Sequence, residues 1–129
     1  MGRTQLQDAV PMTIGQEFES YAASLECEIK LLQDAEANLY VVNMGATAIG
    51  TGINSDPDYP PLVAKHLAKL TGNAIQISKN LIAATNDTSD FLTLSSQYRR
   101  LAVKTSKICN DLRLLSSGPR TGLYEIKLP

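Results

Sequence analysis

Apolar residues recur at helical spacing along two long stretches of the chain. Phe18, Tyr21, Leu25, Leu32 and Leu39 follow one another at steps of three, four and seven, and Ala22, Ile29 and Ala35 widen the stripe. One apolar face with that period predicts an amphipathic helix. Thr13-Ile14-Gly15-Gln16 reads as its capping box, each of the two polar side chains satisfying a backbone N–H of the other residue. The helix is expected over 13–44. A second stripe runs through Phe91, Leu94, Tyr98, Leu101, Ile108, Leu112 and Leu115, with Thr105 its one weak position. It predicts a second long helix over 87–117, capped by Asp87, Thr88 or Ser89 and ended by Ser117-Gly118-Pro119.

The region between is broken. Gly45, Gly50 and Gly52 place a Gly-rich turn at 45–60. Short helices are expected over 61–86: one opens at Pro61 and stops at Gly72, and another is capped by Asn80 and runs through Thr85. Residues 73–79 read as a loop. Residues 1–12 and 118–129 read as irregular, and no segment alternates as a strand does. The fold class is all-α, a long-helix bundle with two long helices plus short helices.

Length makes this architecture awkward. A compact domain of 129 residues has a radius of gyration of about 14 Å, hence a diameter of roughly 36 Å. A helix of about 30 residues is about 45 Å long. Two such rods and a short helix cannot enclose their own stripes, so the missing partners are expected to be other chains or further parts of a longer one. A monomeric three-helix bundle with shorter helices is the alternative.

Composition narrows the function. Apolar residues make up 43% and charged residues 19%, an ordered composition. A net charge of -1 and 5% aromatic residues argue against a nucleic-acid binder. No apolar run approaches a membrane span of about 18 residues, the start lacks a signal-peptide core, and Leu6 breaks a myristoylation pattern. No membrane partner is expected. Cys27 and Cys109 are expected as reduced, buried thiols of a cytoplasmic protein. His66, the one histidine, leaves little scope for a histidine network or a metal site.

Few segments offer chemistry. Arg3, Thr4, Gln5, Gln7 and Asp8 could bind a carboxylate or an amine. The run from Gly45 to Asn54 is no phosphate loop, because a helix precedes it and no Lys follows the glycines. Arg100, Lys104 and Lys107 share a face of the second long helix, which Asp90 and Asp111 also occupy, and they read as a solvated face.

Three segments in order resemble one family. GRTQLQDAVPMT at 2–13, NMGATAIGTGIN at 43–54 and KICNDLRLLSSGPRTGLYEIKLP at 107–129 are similar to signature stretches of the aspartase/fumarase superfamily. The wording resembles the aspartate ammonia-lyase branch more than class II fumarases. Fumarases usually carry His where Gln5 stands, Thr where Val10 stands, and ASGPR where SSGPR stands at 116–120.

The resemblance implies a cofactor-free elimination of ammonia from L-aspartate to give fumarate. A base removes a proton beside the β-carboxylate, and hydrogen-bond donors stabilise the resulting dianion. By matching position, Thr4 and Gln5 would contact substrate. Arg3 and Asp8 would hold their strand, and Gly50, Thr51, Gly52 and Asn54 would shape a turn packed near the site. The family's base is a serine on a GSSxMPxKxNP loop, and Pro129 precedes where that loop would begin. Ser116 and Ser117 do not match it, so no catalytic residue is assigned, and the chain is expected to be inactive alone. The resemblance also implies a homo-oligomer, a tetramer whose sites combine several subunits. The alternatives are a class II fumarase segment and a non-catalytic helical assembly module.

Overall fold

The computed structural model describes all 129 residues. Eight elements follow in order: β1 (Gly2–Thr4), β2 (Gln7–Val10), α1 (Ile14–Asn38), β3 (Val41–Val42), α2 (Tyr59–Thr71), β4 (Gln76–Ile77), α3 (Leu81–Asn86) and α4 (Ser89–Leu115). The fold is helical, with α1 and α4 as its long helices. The chain divides into two compact units, Met1–Lys30 with Tyr98–Pro129, and Leu31–Gln97.

Local chemistry explains most helix ends. At α1, the Thr13 N–H donates to Gln16 Oε1 at 2.9 Å and the Gln16 N–H donates to Thr13 Oγ1 at 3.1 Å. That is the reciprocal box expected from the sequence. α2 carries Pro60 and Pro61 in its first turn and ends at Gly72, whose φ of 75° lets its N–H reach the Ala68 carbonyl at 2.9 Å. Asn80 caps α3, its Oδ1 accepting from the Ile82 and Ala83 N–H groups at 3.1 and 3.0 Å. Asp87 Oδ1 accepts from the Ser89 N–H at 2.9 Å at the start of α4.

Two expectations are corrected by the backbone. Residues 1–12 are not irregular, since β1 and β2 form an antiparallel hairpin. Residues 73–79 are not wholly loop, since β4 pairs in parallel with β3, Val41 opposite Gln76 and Val42 opposite Ile77. This pairing also explains why α1 stops at Asn38 and not in the mid-40s. Past Tyr40 the backbone bonds to another segment, Gln76 N–H to Tyr40 O at 2.8 Å and Ser78 N–H to Val42 O at 2.9 Å. Two β-branched valines suit that extended stretch.

The helix stripes are only partly covered. Ala35, Ala46, Ala64 and Leu115 are the buried apolar residues. Phe18, Ile29, Phe91 and Tyr98 lie on the expected stripes yet remain 47%, 55%, 66% and 58% exposed. The two cysteines also differ from expectation. Cys27 and Cys109 are free and exposed, because they stand off the stripes on the open sides of α1 and α4.

Candidate functional site

The hairpin builds the candidate site in the first unit. Thr4 pairs with Gln7 and Arg3 with Asp8, which leaves Gln5 and Leu6 as the turn. Their φ values are 49° and 66°, both left-handed, as a type I′ turn requires. Such turns favour Asn-Gly, because a left-handed conformation costs a side-chain-bearing residue about 1–2 kcal/mol. Here Gln and Leu bear that cost, with Leu6 76% exposed. Strain held in an exposed tip is a feature of binding sites. The absence of the usual Asn-Gly signal is also why the hairpin could not be read from the sequence.

Arg3 anchors the hairpin. Its Nη1 donates to Glu125 Oε2 at 2.9 Å, its Nη2 donates to Glu125 Oε1 at 2.6 Å, and its Nε lies 3.2 Å from Asp8 Oδ1. The planar guanidinium fork matches the carboxylate with two parallel bonds. This pairing raises the Arg3 pKa and holds the Glu125 carboxyl below its ordinary range. Arg3 thus meets two carboxylates, Asp8 across the hairpin and Glu125 from the C-terminal segment, and the sequence offered no signal for Glu125. Glu125 is itself tied to α4, its N–H donating to the Leu115 carbonyl at 2.8 Å.

A cleft of about 340 Å3 lies beside the turn, lined in part by Arg3, Gln5, Leu6, Glu17, Lys107 and Asp111. Tyr21 reaches two of the lining carboxylates. Its hydroxyl donates to Glu17 Oε1 at 2.8 Å and lies 3.4 Å from Asp111 Oδ2. Burial and these two carboxylates push its pKa far up. Lys107 pairs with Asp111 one turn away.

The basic face of α4 is solvated only in part. Lys107 is 72% and Arg100 50% exposed, but Arg100 and Lys104 also converge on Glu28 of α1, whose side chain is fully buried. Glu28 Oε1 lies 3.0 Å from Arg100 Nη2 and 2.6 Å from Lys104 Nζ, while Oε2 is buried without a partner. Hydrogen bonding to Lys104, opposed by burial and aided by Arg100, lowers the Glu28 pKa. Glu28 sits beside a stripe of ordinary helix residues, and its partners lie 72 and 76 positions away, so its role is invisible locally.

Gly50, Thr51, Gly52 and Asn54 belong to the second unit. There the Ala46 carbonyl accepts from both Gly50 N–H at 3.1 Å and Gly52 N–H at 3.0 Å. Gly50 is packed on the start of α3, a Cβ at that position falling 2.3 Å from Ile82 Cα. The structure thus brings Arg3, Thr4, Gln5 and Asp8 together in one hairpin, and the four turn residues together in another loop.

The hairpin tip can donate and accept hydrogen bonds through the Gln5 amide and the Thr4 hydroxyl. No three His, Cys, Asp or Glu side chains come together as a metal-holding group.

Comparison with known proteins supplies a context. A family model described as Lyase matches residues 1–129. Aspartate ammonia-lyases of Helicobacter pylori and Escherichia coli K12 are each 56% identical over 129 residues, the whole of this chain and 28% and 27% of theirs. The chain thus spans little more than a quarter of the length of these curated relatives. A solved Brucella melitensis structure, described as fumarate lyase:delta crystallin bound to cobalt, superposes with a TM-score of 0.96 at 52% identity, covering 99% of this chain and 28% of that one. A class II fumarase from Schistosoma mansoni gives a TM-score of 0.89 at 29% identity, covering 94% and 28%. With the whole chain matched by the family model, this protein belongs to the lyase family, in its aspartase/fumarase superfamily.

Proposed function

We propose that these residues form the hairpin strand and part of the helical scaffold of an aspartate ammonia-lyase. The reaction would be elimination of ammonia from L-aspartate to fumarate, with no cofactor. The observation that carries the reading is the strained tip. Thr4 and Gln5 stand at the end of a hairpin whose base is clamped by Arg3 to Asp8 and Glu125. Rigid placement of neutral donors suits an enzyme that must stabilise a developing dianion. Gln5 would donate its amide N–H to a substrate carboxylate and Thr4 its hydroxyl. Arg3 and Asp8 would hold the strand, and Gly50, Thr51, Gly52 and Asn54 would shape a turn near the site in the assembled protein.

The base would come from outside these residues. Arg3 pairs with both Asp8 and Glu125, and Glu125, held at lowered pKa by that guanidinium, is a weak base. We therefore expect no fumarate from these 129 residues by themselves. The exposed stripe residues support assembly with further copies, and a homotetramer is the form we propose. No helix is long and apolar enough to cross a membrane. The free thiols of Cys27 and Cys109 accord with the reducing cytoplasm we propose as its location.

The test uses the full-length protein that carries these residues, assayed by fumarate absorbance from aspartate and from malate. Turnover of aspartate and not malate is expected. Turnover of malate alone would favour the fumarase reading, for which the Schistosoma mansoni superposition is the supporting observation. These 129 residues, mixed with a full-length subunit defective at Thr4-Gln5, should restore activity in a shared-site enzyme. No turnover of either substrate would leave the assembly module.

A further inference from the structure

The first unit contains a closed ring of contacts. The hairpin passes through Pro11 into the capping box at Thr13 and then α1. Fourteen residues into α1, about 21 Å along its axis, Glu28 grips Lys104 and Arg100 of α4. α4 ends at Leu115, whose carbonyl accepts from the N–H groups of Glu125 at 2.8 Å and Ile126 at 3.3 Å. Glu125 then closes the ring on Arg3 of the hairpin with its two parallel bonds. Each link is directional, and together they tie the start of α1 to the end of α4.

Glu28 is the link whose loss is felt most. Its side chain is fully buried and half-satisfied, with Oε1 shared by two cations and Oε2 without a partner. Apolar contacts between helices tolerate sliding to the next repeat, whereas a buried carboxylate with fixed cation partners does not. A slip of one turn along α1 would strand Glu28 and carry the hairpin base away from Glu125.

We propose that Glu28 is a positioning residue for the hairpin tip: through Lys104 and Arg100 it sets the axial register of α1 against α4. That register brings Arg3 onto Glu125 and so aims Thr4 and Gln5. Only the kinetic arm of its test rests on the lyase reading above.

The structural arm is amide hydrogen exchange on this chain, comparing wild type with Glu28→Gln and with the milder Lys104→Met. Lys104 is 34% exposed and its loss leaves Arg100 on Glu28, so that variant keeps its fold. Exchange at the β1 and β2 amides and at Glu125 should rise by about tenfold or more, since local opening is governed by the contacts that hold a segment. Unchanged exchange in the hairpin of both variants would overturn the proposal.

The kinetic arm uses the full-length enzyme and a double-mutant cycle between Glu28→Gln and Arg3→Lys. Sites about 20 Å apart with no shared partner give additive effects. A common ring gives non-additive ones, with the kcat loss of the double variant close to that of either single one. Multiplicative losses would refute positioning. A wild-type enzyme that fails to turn over aspartate would refute the lyase reading and leave the exchange result to decide on Glu28.

Discussion

Gly50 and Gly72 both sit in the left-handed region, at φ 91° and 75°, yet replacing each by alanine should have very different effects. At Gly72 nothing lies within 4 Å of the new Cβ. The cost of Gly72→Ala is then the conformational one alone, about 1–2 kcal/mol. At Gly50 the Cβ would stand 2.3 Å from Ile82 Cα, 2.6 Å from Ile82 N and 2.7 Å from Leu81 O. All three atoms are backbone, so no side chain can turn aside, and the first turn of α3 must shift. Overpacking of this kind adds about 1–3 kcal/mol, for a total of about 2–5 kcal/mol. A chain of this size loses roughly 3–5 °C of Tm per kcal/mol. Gly72→Ala should melt about 3–10 °C below wild type and Gly50→Ala a further 3 °C or more below that. Far-UV circular dichroism melts at one fixed protein concentration would measure both, because association also moves Tm. Equal Tm values for the two variants would refute the steric reasoning, and with it the close packing of the Gly-rich loop on α3.

Three further outcomes follow from the site and its caps. Replacing Gln5-Leu6 by Asn-Gly should raise Tm by a few degrees, since the left-handed turn loses its cost of about 1–2 kcal/mol. The same change should lower aspartate turnover in the full-length enzyme by drawing the amide back from the tip, and a variant both more stable and equally active would count against Gln5 as a contact. Asn80→Ala should cost about 1 kcal/mol by stripping two N–H groups of their acceptor, whereas Asn80→Asp should melt near wild type; matching melts for Ala and Asp would show that the cap is idle. Glu28 and Glu125 have folded pKa values below their ordinary 4.5, so their contribution is complete above that value and fades as the pH falls through the folded ones. Melting followed downward through the carboxylate range should show a steep acid limb that flattens in Glu28→Gln and in Glu125→Gln, and a limb unchanged in both would refute these ion pairs.

What could be read along the chain was what depends on near neighbours. The capping box at Thr13 and Gln16, the Asn80 cap and the Gly72 stop each involve residues within four positions, so composition and spacing suffice to find them. The two stripes announced α1 and α4 for the same reason, since a period near 3.6 is a local property. The matching segments at 2–13, 43–54 and 107–129 pointed to the superfamily, because long motifs in order are improbable by chance. The hairpin escaped because its turn is Gln-Leu, a pair that turns left-handed only where the surroundings impose it. The early end of α1 escaped because β3 exists through its pairing with β4, more than thirty residues on. Glu28 and Glu125 escaped most completely. A charged side chain on a helix or in a tail carries no mark of whether water or a distant cation will meet it. Only packing decided that, by removing Glu28 from solvent and leaving it Lys104 and Arg100 as partners, and by bringing Glu125 across 122 positions of chain to the guanidinium of Arg3.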